Sequence, residues 1–146
     1  MAEHEGIGEL AKAAAVRLAD AKCLLNSGRT GRFRGAMYLA GYAVECSLKV
    51  VLIERAQSRT LTQATQHYRI LDPSFPSLTT ARAHDLGLLF ELCRDAAGFP
   101  FQSETVKQIG IAMRWKHTWR YLGDSPKPLV AQEQLRAVES ICRALN

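Results

Sequence analysis

The stretch Tyr38 to Val50, YLAGYAVECSLKV, constrains this chain more than any other. Wound as an α-helix, it places Tyr38, Tyr42, Glu45 and Lys49 on one stripe, because they are spaced by 4, 3 and 4 residues. Leu39, Ala43, Val44, Cys46, Leu48 and Val50 occupy the other faces. A helix that is apolar nearly all round belongs inside a protein, and a charged stripe on it must be paired or reach water. Glu45 and Lys49 have the i,i+4 spacing for an ion pair, with the glutamate on the favourable N-terminal side. The same pair argues against a membrane span. The apolar run from Ala36 to Ile53 is long enough, but it carries both charges near its middle, where a bilayer tolerates them poorly.

Around this helix the chain reads as further helices. Ile7, Leu10, Ala14, Leu18, Ala21 and Leu25 recur at steps of 3 or 4, so a first amphipathic helix is expected over Ile7–Asn26, closed by Asn26-Ser27-Gly28. The central helix follows, from near Thr30 to about Ala56. Residues Gln57 to Ala83 lose the period and contain the turn-forming run Asp72-Pro73-Ser74-Phe75-Pro76-Ser77, and are read as a long loop with at most a short helical turn. Leu86, Leu89, Phe90 and Cys93 mark a third helix, stopped by Gly98-Phe99-Pro100. A fourth, capped by Ser103, is expected to reach about Leu122, with Val106, Ile109 and Met113 on one apolar face and Ile111, Ala112, Trp115, Trp119 and Leu122 on another. After the breaker Gly123 to Pro128, a last helix spans about Val130 to Leu145 and packs Leu135, Val138, Cys142 and Leu145. No alternating β pattern of useful length, internal repeat or linker interrupts this order. The expectation is an all-α, up-and-down bundle of about five helices, forming one domain over residues 1–146.

With 146 residues, 47% hydrophobic and 23% charged, the chain has the composition of a globular domain able to bury its own core. The formal charge of +5 and pI near 9.2 lean toward an acidic partner. Cys23, Cys46, Cys93 and Cys142 lie far apart, without metal-ligand spacing, each inside an apolar helical pattern. They read as reduced, buried core thiols, with no metal and no cofactor. The acidic, polar residues 1–12 are not a signal sequence, so a cytoplasmic protein is expected. There is no phosphate-binding glycine loop, GxSxG or HExxH; Gly28-Arg29-Thr30-Gly31 is too short and lacks a preceding strand.

Three groups carry candidate chemistry. Arg114, His117 and Tyr121, spaced by 3 and 4 and flanked by Lys116 and Arg120, make a basic, aromatic helix face suited to a nucleotide or RNA. Arg29, Arg32 and Arg34 surround the start of the central helix and suit phosphate or an acid-pairing turn. His84-Asp85 reads as a helix-start cap rather than a catalytic dyad, since no nucleophile lies nearby in sequence. Tyr38, Tyr42, Glu45 and Lys49 read as a structural polar seam.

Four pieces together resemble the HEPN family of small helical domains. They are the helix ending Cys23-Leu24-Leu25, the block Tyr38-Leu39-Ala40-Gly41-Tyr42-Ala43-Val44-Glu45-Cys46-Ser47-Leu48-Lys49, the run His84-Asp85-Leu86, and Trp115 followed by Trp119-Arg120-Tyr121. The resemblance spans about residues 10–143. It implies a dimerising helical bundle associated with nucleotides, RNA or toxin–antitoxin systems, often partnered by a nucleotidyltransferase. Many members are metal-independent ribonucleases that use Arg-x4–6-His. Here Arg114 and His117 have only two residues between them, and Arg59 and His67 have seven. The resemblance therefore implies a non-catalytic or degenerate member that binds a nucleotide, RNA or a partner protein. Its rivals are an endoribonuclease using Arg114 and His117, and a pure scaffold for a nucleotidyltransferase.

Overall fold

The computed structural model describes residues 6–29, 32–80, 84–114 and 127–145. Among these residues all regular structure is helical: α1 (Ile7–Asn26), α2 (Phe33–Arg55), α3 (Leu61–Leu71), α4 (Leu86–Asp95), α5 (Ser103–Ala112) and α6 (Pro128–Leu145). The all-α bundle expected from the periodicity is present, with six helices among the described residues.

α2 is the axis of the molecule. Every residue from Ala43 to Ile53 is buried, which is why the segment had to be apolar on all faces. Although α2 is long and apolar enough to cross a membrane, 83% of that window is covered by the rest of the bundle. α6 runs beside α2 in the same direction. Phe33 and Met37 share a small core with Ala131 near the two starts, and Ser47 Oγ lies 3.6 Å from Cys142 Sγ toward the far ends. α1 packs antiparallel to both, with Leu25 against the Phe33–Met37–Ala131 core and Lys22 Nζ 3.6 Å from Glu139. Gly28, at φ 71°, supplies a left-handed turn after α1, at the stop expected from Asn26-Ser27-Gly28.

The segment read as a loop contains α3, and the reason it was missed is local. Thr60 caps the helix by accepting from Gln63 N, and Leu61, Ala64, Thr65 and Tyr68 form its buried face. That stripe is narrow, because Thr62, Gln63, Gln66, His67, Arg69, Ile70 and Leu71 occupy the remaining positions and all are exposed. Tertiary bonds complete it: Tyr68 Oη donates to Leu52 O at 2.6 Å, and Arg69 Nε to Phe75 O at 2.8 Å. Thr65 Oγ1 accepts from Leu78 N at 3.1 Å. Phe75 and Leu78 are fully buried, so residues 72–80 form an ordered wrap closed over α3.

α4 ends as expected, with Gly98 at φ 64° and Phe99 N bonded to Cys93 O. α5 differs from its expectation. Gln102, not Ser103, precedes its first turn, and no side chain caps it. The helix ends at Ala112, with Met113 and Arg114 in a turn; the rest of the expected span, including Trp115 and Trp119, lies outside the described residues. Its buried positions are Thr105, Ile109 and Ala112, whereas Val106 and Met113 are exposed. The expected Val106–Ile109–Met113 face was wrong because α5 turns its Thr105–Ile109–Ala112 stripe to the core, where Gln134 Nε2 donates to Ala112 O. Three cysteines are buried as expected, but Cys23 is exposed. It falls just after Ala21, on the solvent side of α1.

Candidate functional site

The stripe on α2 folds into a connected polar cluster. Lys49 Nζ donates to Glu45 Oε2 at 3.0 Å, one helical turn away, and both side chains are almost completely buried, at 7% and 4% exposure. Such a pair is tolerated in a core only when its remaining hydrogen-bonding capacity is met. Here a third residue from a distant part of the chain contributes. His84, just before α4, places Nδ1 3.0 Å from both carboxylate oxygens of Glu45. An ionised carboxylate only accepts, so the ring hydrogen on that side sits on Nδ1. Above them Tyr38 Oη donates to Tyr42 Oη at 3.0 Å, and the Tyr42 ring meets the His84 ring edge-on at 6.4 Å.

Of the residues expected to form a seam, Tyr38 bonds to Tyr42 and Lys49 to Glu45, and His84, which sequence reading missed, stands against both pairs. No spacing rule reports it, since His84 lies 39 positions from Glu45. Asp85 performs the capping expected at this point, accepting from Leu88 N at 3.1 Å. An imidazole oriented by a buried carboxylate is a part that general-base chemistry uses. Among the described residues, however, the ring's hydrogen-bond partner is Glu45, and no hydroxyl or thiol is paired with it.

The thiols nearest the seam are inert. Burial raises the Cys46 pKa from 9.0 to about 11, with the Glu45 charge adding to the rise. Burial alone lifts Cys93 to about 12, and Cys93 Sγ donates to Leu48 O at 3.4 Å. Both are protonated near neutrality and behave as small apolar groups. Among the described residues no three metal-binding side chains come together.

Arg114 occupies a different place from the seam. It stands in the turn after α5, largely exposed, 3.8 Å from Glu133 on α6. Lys116, His117, Arg120 and Tyr121, its expected companions, lie outside the described residues. Arg59 and His67 are both exposed, Arg59 just before α3 and His67 within it, where it packs edge-on against Tyr68. A groove of about 550 Å³ runs between α1 and α6, floored by Ala11, Ala14, Ala15 and Cys142, with Lys22 and Glu139 among its lining residues.

Comparisons with family models, curated proteins and solved structures returned no match.

Proposed function

We propose that the chain is a degenerate HEPN-like module that acts by binding, as a homodimer, rather than by turnover. Its ligand class is a nucleotide, RNA or a partner protein such as a nucleotidyltransferase, in a toxin–antitoxin-like setting in the cytoplasm. One observation carries the non-catalytic reading. The buried charges of the central helix are engaged in structural contacts: Glu45 pairs with Lys49 within α2 and with His84 at the start of α4. Cleavage of a phosphodiester needs a base, an acid and a cation converging on one phosphate. Arg114, the cation proposed for that role, stands exposed in the turn after α5, facing Glu133 at 3.8 Å rather than His84 or Glu45.

The basic balance of +5 supports an acidic ligand. Four cysteines that form no disulfide support a reducing compartment. The test is labelled single-stranded RNA incubated with metal-free protein and scored for cleavage. Intact RNA is expected, and cleavage abolished by His117→Ala would overturn the reading. Light scattering on the same samples should give a particle heavier than the 16.2 kDa protomer.

A further inference from the structure

Among the described residues the cations are unevenly distributed in space. The small core of Phe33, Met37 and Ala131, with Leu25 against it, brings the end of α1 and the starts of α2 and α6 to one end of the bundle. The bonds of Ala112 O with Gln134 and of Arg114 with Glu133 bring the end of α5 there too. Arg29, Arg32 and Lys127 are all exposed at this end, beside half-buried Arg34 and the exposed Arg114. The nearest acids on the same elements are already engaged, Glu133 with Arg114 and Asp20 with Arg17. Among the described residues, this end is strongly cationic.

The starts of α2 and α6 add to this excess. A helix start carries partial positive charge and favours an acidic side chain in its first turn. Neither α2 nor α6 has one. Arg32 is the residue before α2, with no side-chain cap, and Lys127 stands before α6, its carbonyl accepting from Ala131 N at 3.2 Å. Two neighbouring helices thus begin on cations, an arrangement that costs each of them stability and is relieved by an external anion. Two residues after Lys127, Leu129 is 77% exposed, and Val130 next to it 45%. Cations beside uncovered apolar side chains complement an unpaired strand, which offers phosphates and base faces together, better than a duplex, whose base faces are hidden.

We propose that this cationic end, formed by Arg29, Arg32 and Arg34 with Lys127 and Leu129, binds the phosphate backbone of single-stranded nucleic acid. The inference rests on the binding reading above and gives it a place on the molecule. Arg29, Arg32 and Lys127 contact phosphates, and Leu129 lies under a base.

The experiment measures binding of a labelled single-stranded RNA of about 12 nucleotides, within the span a small domain covers, as salt is raised. Three phosphate contacts give a slope of log affinity against log salt of about −2, at roughly −0.7 per contact. Arg29→Glu with Arg32→Glu is expected to weaken binding at least tenfold and to remove about 1.4 from the slope. Leu129→Ser is expected to weaken binding without changing the slope. The control is Lys12→Glu with Arg143→Glu, the same change in net charge, placed more than ~15 Å away along α1 and α6 at 1.5 Å per residue. Equal losses from the two charge-reversed pairs would overturn the assignment of the surface, leaving nonspecific attraction, while the binding reading stands. A matched DNA strand binding as well as RNA supports backbone recognition. Tighter binding of a duplex or of free ATP than of the single strand overturns the ligand class. No binding of any of these overturns the inference and leaves partner-protein binding as the function. Cleavage would overturn the non-catalytic reading without touching the location of the site.

Discussion

Glu45 and Lys49 show what a single residue's surroundings do to its energetics. In water an i,i+4 pair contributes a few tenths of a kcal/mol. Inside α2 the same pair is an obligation, because removing one partner leaves the other charge buried and alone. Lys49→Met is expected to lower stability by about 3 kcal/mol, and Glu45→Met by a similar amount. The double substitution should recover much of that loss, since methionine fills the volume and half-exposed His84 can turn to water. Urea denaturation of the four species would measure the coupling. Additivity within about 0.5 kcal/mol would show that the charges do not depend on each other. The spacing of 4, 3 and 4 made the seam visible in the sequence, and the burial of both charges followed from the apolar faces around them. His84 was legible only as the neighbour of a capping aspartate. Its bond to Glu45 depends on where the wrap after α3 delivers the chain, and no local rule contains that information.

At the scale of elements, the helices that could be read were those whose apolar stripe was wide. α1, α2, α4 and α6 fall within a few residues of their expected limits because Leu, Ile, Val and Phe repeat along them. α3 was hidden because its inward stripe consists of Leu61, Ala64, Thr65 and Tyr68, two of them polar. Its stability is correspondingly dependent on specific hydrogen bonds. Thr60→Ala removes the cap on Gln63 N and is expected to cost about 1 kcal/mol. Tyr68→Phe removes the donor to Leu52 O, a buried carbonyl that keeps only a longer bond from Ala56 N, and should cost about 1–2 kcal/mol. Both variants should speed hydrogen exchange in α3 and in residues 72–80 together, because Thr65 and Arg69 hold the two as one unit. Exchange that rises in α3 while residues 72–80 stay protected would show that the wrap does not depend on the helix.

The whole molecule has properties that belong to no single element. Which helix ends meet is one: the gathering of Arg29, Arg32 and Lys127 follows from α2 and α6 running in the same direction, and periodicity fixes no such relation. The response to alkali is another, because it sums over groups buried along the length of α2 and its neighbours. Burial raises Cys46 to about 11 and Cys93 to about 12, from an ordinary 9.0. It also raises Cys142, while Tyr68 goes from 10.0 to about 12. For each of these groups the unfolded chain ionises first. Below about pH 9 all are protonated in both states and stability is at its full value. As pH rises beyond that, the unfolded state loses protons that the folded state keeps, so stability falls until the folded groups ionise in turn. One pH unit above the unfolded value corresponds to about 1.4 kcal/mol per group. Between about pH 8 and pH 10, Cys46 and Cys93 should together remove on the order of 3 kcal/mol. Urea midpoints across that range are the measurement. Cys93→Ala should lower stability at about pH 8, through the lost volume, yet flatten the decline toward about pH 10. A midpoint that holds constant across the range, or an alanine variant that declines as steeply as the parent, would show that the thiols are open to water in the native state.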